Sequence, residues 1–265
     1  MTKQSEKGTA LVTGASSGIG AVYAERLARR GYNLLLVARD QQRLEKLASS
    51  LQADYGIAVE VFKADLTRKE DIKQVAQRLR GDSSISLLVN NAGVAMDGPF
   101  IEANLDSVDS MLELNVVALT HLAAAAGANF AAAGKGAIIN LASVVALAPE
   151  MFNATYSATK AYVLSLSQSL HGELSKQGVQ IQAVLPGVTR TEIWERAGID
   201  AKRIPEAMVM DAGEMVDAAL AGFDQGELIT IPSLPDAADW NALIVARQKL
   251  GPNLSHSKAA ARYKV

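Results

Sequence analysis

The chain contains no cysteine, which excludes disulfide bonds, thiol catalysis and thiolate metal sites and is compatible with a reducing compartment. Histidine is scarce as well. His121, His171 and His256 stand far apart, none in a zinc-binding spacing such as H-E-x-x-H, so they read as surface or packing residues and no metal is expected. Neither sign of charge is in excess. A formal net charge of -2 with 20% charged residues builds no field that would gather nucleic acid or an anionic membrane, so neither is expected as a partner. Long apolar runs are also missing: none approaches the ~20 residues that span a bilayer. The nearest, residues 122–133, is rich in alanine, contains Gly127 and Asn129, and reads as a helix packed closely against its neighbours. The first residues, MTKQSEKG, are polar and lead straight into an apolar strand without the apolar centre of a secretory signal, so a cytoplasmic location is expected.

What is present is enough for one substantial core: 265 residues, of which 49% are hydrophobic, suit a single domain over the whole chain. Short β-rich apolar runs alternate with longer segments of helical period, the pattern of βαβ units and a parallel sheet covered on both faces. Strands are expected at residues 9–13, 33–38, 58–63, 86–90, 137–142, 180–185 and 227–231. Right-handed crossovers then give a doubly wound α/β sheet of the Rossmann type, with ligands beyond the carboxyl ends of the strands. No internal repeat or Pro/Gly/Ser linker divides the chain. After the last strand an extension, about residues 232–265, should carry one helix at 236–249 and a loosely held basic tail from Ser255.

The first strand ends in Thr13-Gly14-Ala15-Ser16-Ser17-Gly18-Ile19-Gly20, and a helical segment follows at once. Three glycines alone mark only a turn. Between a strand and a helix they let the backbone approach a pyrophosphate, while the open N–H groups and dipole of the helix favour its charge. The spacing G-x-x-x-G-x-G departs from G-x-G-x-x-G and resembles the TGxxxGxG motif of the short-chain dehydrogenase/reductase family.

Further matches to that family follow in order as far as residue 191. Asn90-Asn91-Ala92-Gly93 resembles the NNAG element that supports the sheet centre near the adenosine ribose, and Asp65-Leu66 resembles the pair that contacts the adenine. Pro186-Gly187-Val188 with Thr191 resembles the PGxxxT segment that positions the nicotinamide carboxamide. The resemblance implies a nicotinamide dinucleotide held by Gly14, Ser16, Ser17, Gly18, Ile19, Gly20, Arg39, Asp65, Leu66, Asn91, Ala92, Gly93, Tyr156, Lys160, Pro186, Gly187, Val188 and Thr191. The end of the second strand chooses the cofactor. An acidic residue there would bond the ribose hydroxyls of NAD, whereas arginine can pair with the 2'-phosphate of NADP. In Val37-Ala38-Arg39-Asp40 the family position of the NAD-type aspartate holds Ala38, and Arg39 favours NADP(H) with NAD(H) still open. Asp40 reads as the N-cap of the next helix.

Tyr156 and Lys160 lie four residues apart at the start of a segment of helical period, so both project from one helix face. YxxxK by itself is most often a surface pair. Ser143 just after the preceding strand, at the family's separation from Tyr156, and Asn115 on an earlier helix complete what resembles the family's catalytic tetrad. Hydride reduction of a ketone builds negative charge on the carbonyl oxygen, which must be stabilised and protonated. The resemblance implies that Tyr156 moves the proton, Lys160 supports it and holds the nicotinamide ribose, Ser143 bonds the substrate oxygen, and Asn115 holds a water leading to solvent.

The segment at about 188–212 is expected to act as a substrate lid. Ile193, Trp194, Ile199, Met208, Val209 and Met210 there, with Val145, Leu147, Met151 and Phe152 before Tyr156, offer apolar surface for an apolar carbonyl compound or its secondary alcohol. Other readings are a silent nicotinamide-binding sensor, another Rossmann enzyme such as a methyltransferase, and an enoyl reductase or sugar epimerase. A complete tetrad argues against the sensor, and the serine spacing favours carbonyl chemistry. The resemblance further implies a homodimer or homotetramer through the helices bearing Asn115 and Tyr156, with the C-terminal stretch covering or extending an interface.

Overall fold

Seven apolar runs become strands of one parallel sheet. The computed structural model describes residues 6–193 and 204–264. β1 (Thr9–Thr13), β2 (Asn33–Ala38), β3 (Val59–Lys63), β4 (Ile85–Asn90), β5 (Gly136–Leu141), β6 (Val179–Val184) and β7 (Ile229–Thr230) lie in the order β3-β2-β1-β4-β5-β6-β7. Every pairing is parallel. Eight helices with ranges among the described residues follow in chain order: α1 (Gly18–Arg29), α2 (Gln41–Tyr55), α3 (Lys69–Gly81), α4 (Leu105–Leu112), α5 (Leu119–Ala133), α6 (Ala154–Leu174), α7 (Ala212–Asp224) and α8 (Ala237–Gln248).

This is the doubly wound Rossmann arrangement. The first six strands fall within a residue of expectation, and β7 is shorter than the expected 227–231. Its N–H of Glu227 donates to Gly222 O, so that residue belongs to the exit turn of α7, and β7 pairs with β6 only at Ala183↔Ile229 and Val184↔Thr230.

Side chains alternate along a strand, so a sheet covered on both faces needs apolar residues at every position. Ala10, Val12, Leu34 and Leu36 pack with Leu27 of α1, Leu44 of α2 and Val216 of α7. Leu11, Leu35 and Val37 point the other way, into Leu79 of α3 and Leu122 and Phe130 of α5. Ion pairs Arg26–Asp217 and, from the C-cap of α1, Arg30–Asp224 also reach α7. At about 0–1 kcal/mol each when exposed, they follow the apolar contact rather than cause it.

The alanine-rich stretch is longer than its composition implied. α4 passes through a π-helical turn, Glu113–Ala118, into α5, and the run Leu105–Ala133 is long and apolar enough to cross a membrane by length and composition. The expectation that no segment approaches that length is therefore corrected. Its inner face, with Ala118, Leu122, Ala125, Ala126 and Phe130, is buried in the core. Gly127 and Asn129 do not interrupt it. A Cβ on Gly127 would meet Leu174 Cδ1 at 3.0 Å, so the glycine lets α6 approach, and Asn129 Nδ2 donates to Leu79 O and Asp82 O at the end of α3.

The chain forms two units, one ending at Pro232 and one comprising Ser233–Val265. In the second, Asp236 caps α8 by accepting the Ala238 N–H at 2.8 Å, and no residue of that helix is buried.

Candidate active site

The strand order reverses direction between β1 and β4, and the crossovers from these two strands leave to opposite faces. That opens a crevice at their carboxyl ends. Thr13 holds its floor together: its Oγ1 accepts the N–H groups of Asn91 and Ala92, each at 3.0 Å. Asn91 Nδ2 donates to Thr13 O at 2.8 Å. Above this floor lies a cavity of about 490 Å³.

At one end the loop after β1 wraps the cavity. Gly14 has φ +66, a left-handed conformation natural to glycine, and a Cβ there would stand 2.8 Å from Asn91 Nδ2. A Cβ on Gly20 would stand 2.3 Å from Gly14 O. These glycines thus let the loop fold back on the start of α1. The first N–H groups of α1 have no partner within the helix, and Ser16, Ser17, Gly18 and Ile19 border the cavity. A cradle of bare backbone at a helix N-terminus fits a diphosphate.

Beyond it, Arg39 is exposed at the rim after the buried Ala38. Asp40 caps α2, accepting the Arg43 N–H at 3.0 Å. Asp65 folds on itself, its Oδ1 accepting from the N–H and hydroxyl of Thr67 at 3.0 and 2.8 Å. Its neighbour Leu66 adds an apolar surface to the same wall.

At the opposite end, α6 starts where Asn153 Oδ1 accepts the Tyr156 N–H at 3.0 Å, while Asn153 Nδ2 donates to Gly98 O at 2.9 Å. This cap places Tyr156 in the first turn and Lys160 one turn on. Tyr156 is buried with its ring edge to Phe152, centroids 5.5 Å apart. Burial pushes its hydroxyl up to about 12, and a hydrogen bond with Ser143 acts in the opposite direction. Lys160 is buried too, and its Nζ donates to Leu141 O at 2.8 Å, 5.7 Å from the Tyr156 ring centroid. Loss of water lowers its pKa to about 8. Ser143 follows β5, and its Oγ lies 3.4 Å from both Pro186 O, to which it donates, and the Val145 N–H.

Asn115 occupies the π-helical turn, a feature that recurs at functional sites. Its Oδ1 accepts the Val94 N–H and its Nδ2 donates to Val94 O, both at 2.9 Å, with Thr159 Oγ1 a further acceptor at 3.2 Å. A Cβ on Gly93 would stand 3.1 Å from Asn115 Oδ1 and 3.6 Å from Lys160 Nζ. Asn115 and Lys160 therefore flank Gly93.

Of the expected residues, Ser143, Tyr156 and Lys160 line the cavity, as do Pro186, Gly187, Val188, Thr191, Asn91, Ala92 and Gly93. Gly20 and Asn115 do not. Gly20 serves the close approach of loop and helix, and Asn115 stands behind Val94. Among the apolar residues, Val145, Phe152 and Ile193 reach the cavity, whereas Leu147, Met151 and Met208 are exposed away from it and Met210 packs against the core. Trp194 and Ile199 lie outside the described residues. Arg43, Glu192 and the cap Asn153 were missed. Asn153 was within reach, because an asparagine three residues before Tyr156 at a helix start is an N-cap signal.

Known proteins share this fold. A short-chain dehydrogenase from Sphingobium yanoikuyae, solved in complex with NADPH, is 54% identical over 97% of this chain and all of its own, with a TM-score of 0.94. The bulky-bulky ketone specific alcohol dehydrogenase from Comamonas testosteroni is 50% identical over 97% of this chain and 99% of its own, with a TM-score of 0.90. An uncharacterised oxidoreductase from Staphylococcus epidermidis is 34% identical over 79% of this chain and 92% of its own length. The family profile for short chain dehydrogenases matches residues 8–202, a span running from β1 through the glycine loop, Asn115, Tyr156 and Lys160. The chain belongs to the short-chain dehydrogenase family, NAD(P)-dependent oxidoreductases acting on CH–OH or C=O groups.

Proposed function

We propose that the chain reduces ketones bearing bulky apolar substituents with NADPH and oxidises the matching secondary alcohols with NADP+. Tyr156 gives and takes the proton. The observation that carries this reading is the convergence of Ser143, Tyr156 and Lys160 on one cavity that continues without interruption to a bare-backbone cradle and Arg39. Arg39, in place of an acidic residue, favours a 2'-phosphate. Val145, Phe152 and Ile193 favour an apolar substrate, and the kinship with the Comamonas enzyme supports a ketone with two large groups.

A nicotinamide cofactor bound in the cradle supplies the hydride in reduction and accepts it in oxidation. Ser143 Oγ–H bonds the carbonyl oxygen of the substrate and holds it toward the Tyr156 hydroxyl, which gives that oxygen its proton as negative charge builds there. The phenolate left behind is costly in this setting. Moving Tyr156 from about 12 to neutrality takes about 7 kcal/mol. A Lys160 ammonium 5.7 Å from the ring centroid contributes on the order of 3 kcal/mol at an effective dielectric of 20 if the phenolate charge lies at a similar distance. The value of about 12 already includes the hydrogen bond with Ser143, so the remainder falls to the positive charge that an oxidised nicotinamide would bring. Tyr156 thus rests as a phenol, the proton donor that reduction needs. Asn115, through Val94 and Thr159, keeps the loop and α6 in register around Lys160.

The test is an absorbance screen of NADPH and NADH against aldehydes, ketones and alcohols. NADPH should be consumed with bulky aryl and alkyl ketones and NADH more slowly. Tyr156→Phe should lower kcat by about 10³-fold with little change in NADPH affinity. Near wild-type turnover by Tyr156→Phe, or activity confined to small charged carbonyls, would sink this reading. For the cofactor, Arg39→Ala should erase the preference for NADPH, and an unchanged preference would refute it.

A further inference from the structure

A second arginine reaches the rim beside Arg39. Arg43 stands in the first turn of α2 and lines the same cavity. Its Nη1 donates to Glu192 Oε1 at 3.1 Å and Oε2 at 3.0 Å, and its Nε lies 3.5 Å from Asp40 Oδ2. Glu192 comes from the segment leaving β6 and lines the cavity directly after Thr191. The pair therefore joins the turn that carries Arg39 to the segment that borders the cradle.

Both side chains are half-exposed, and an ion pair in that setting is weakly held. A guanidinium presents five N–H donors in a planar fork. A phosphate dianion carries more charge than one carboxylate and three acceptor oxygens, so it can take such a fork from a weak partner. Among the described residues that line this end of the cavity, the charged ones are Arg39, Arg43, Asp40, Glu192 and Asp65, whose Oδ1 accepts from Thr67. Asp40 is committed to the cap of α2. Glu192 is the carboxylate that the Arg43 guanidinium meets at the shorter distance, 3.0 Å.

We propose that Arg43 is a second cation for the 2'-phosphate and that Glu192 is the carboxylate this phosphate displaces, so that their exchange sets discrimination between NADP(H) and NAD(H). The proposal rests on the reading of Arg39 as a 2'-phosphate residue and deepens it. With NAD(H) bound, the Arg43–Glu192 pair persists. With NADP(H) bound, Arg43 turns to the phosphate, and the segment at Thr191 and Glu192 is released from α2.

Dissociation constants of NADPH, NADH and 2',5'-ADP, measured by fluorescence titration and calorimetry on the full chain, test this. Arg43→Gln should weaken NADPH and 2',5'-ADP about tenfold or more, the loss of one charge-assisted contact, with NADH changed less than about twofold. Glu192→Gln should tighten NADPH and 2',5'-ADP a few-fold by removing the competitor, again sparing NADH. Equal weakening of both cofactors by Arg43→Gln, no weakening of either, or weaker NADPH binding by Glu192→Gln would overturn the proposal. Arg39→Ala separates the two readings. If it abolishes NADPH preference while Arg43→Gln leaves it intact, only this proposal fails; if the unaltered chain binds NADH better, the cofactor reading itself fails.

Discussion

Lys160 is buried at 7% exposure, and its environment works against its charge. Burial holds its pKa at about 8 instead of 10.5. The ammonium therefore costs stability, fully at pH below 8, and the cost fades as pH rises from 8 toward 10.5. Lys160→Met removes it together with the hydrogen bond to Leu141 O. The variant should be more stable than the unaltered chain by about 2 kcal/mol at pH 7, the burial cost less one hydrogen bond, and the gap should close by pH 10. Urea unfolding at several pH values measures it, and a variant less stable at pH 7 would mean the ammonium is better solvated than its burial implies. The same titration bears on turnover: kcat/KM for ketone reduction should be level up to about pH 8 and fall above it as Lys160 loses its proton. At this scale the proposed tetrad could be picked out because the chemistry proposed for it demands particular residue types at particular spacings, and three of its four members line one cavity. The partners were not. Leu141 O and Val94 are backbone groups, and any residue type would present them.

At the scale of elements, the start of α6 is the joint on which the site depends. Asn153 caps the helix and anchors it to Gly98 in one side chain. Asn153→Ala should cost about 1–2 kcal/mol of stability. Because Tyr156 stands in that first turn, kcat should fall several-fold more than the binding of NADPH. Thermal unfolding with steady-state kinetics checks both, and an unchanged kcat would show that Tyr156 is placed by its contact with Phe152 instead. Strand positions were readable because an apolar run bounded by turn residues has few other uses. The π-helical turn at Glu113–Ala118 was not, since one extra residue per turn leaves no mark on composition or on the apolar stripe. The length of the run Leu105–Ala133 was hidden for the same reason: polar residues such as Asp106 and Glu113 break the apolar pattern without breaking the helix.

For the whole molecule, the cavity and the four tetrad residues all belong to the unit that ends at Pro232. Residues 233–264 form a unit whose helix buries nothing of its own, and Leu243, Val245 and Leu254 stand exposed. A chain ending at Pro232 should fold with native circular dichroism and bind NADPH with a dissociation constant within about threefold of the full chain, since the cradle loses no residue. Failure of that shorter chain to fold or to bind would assign the extension a part in the core or the site.

The amino-acid order by itself determined the parallel sheet, the glycine loop at its first strand, and the choice of the side chains proposed to react. Each depends on local period or on residues whose chemistry has no substitute. Only the tertiary structure decided that Asn115 braces Val94, that Arg43 meets Glu192 across 149 positions, and that Tyr156 and Lys160 are pushed toward their neutral forms. Those outcomes depend on which distant segments share a wall and on how much water they exclude, and neither quantity is carried by any residue alone.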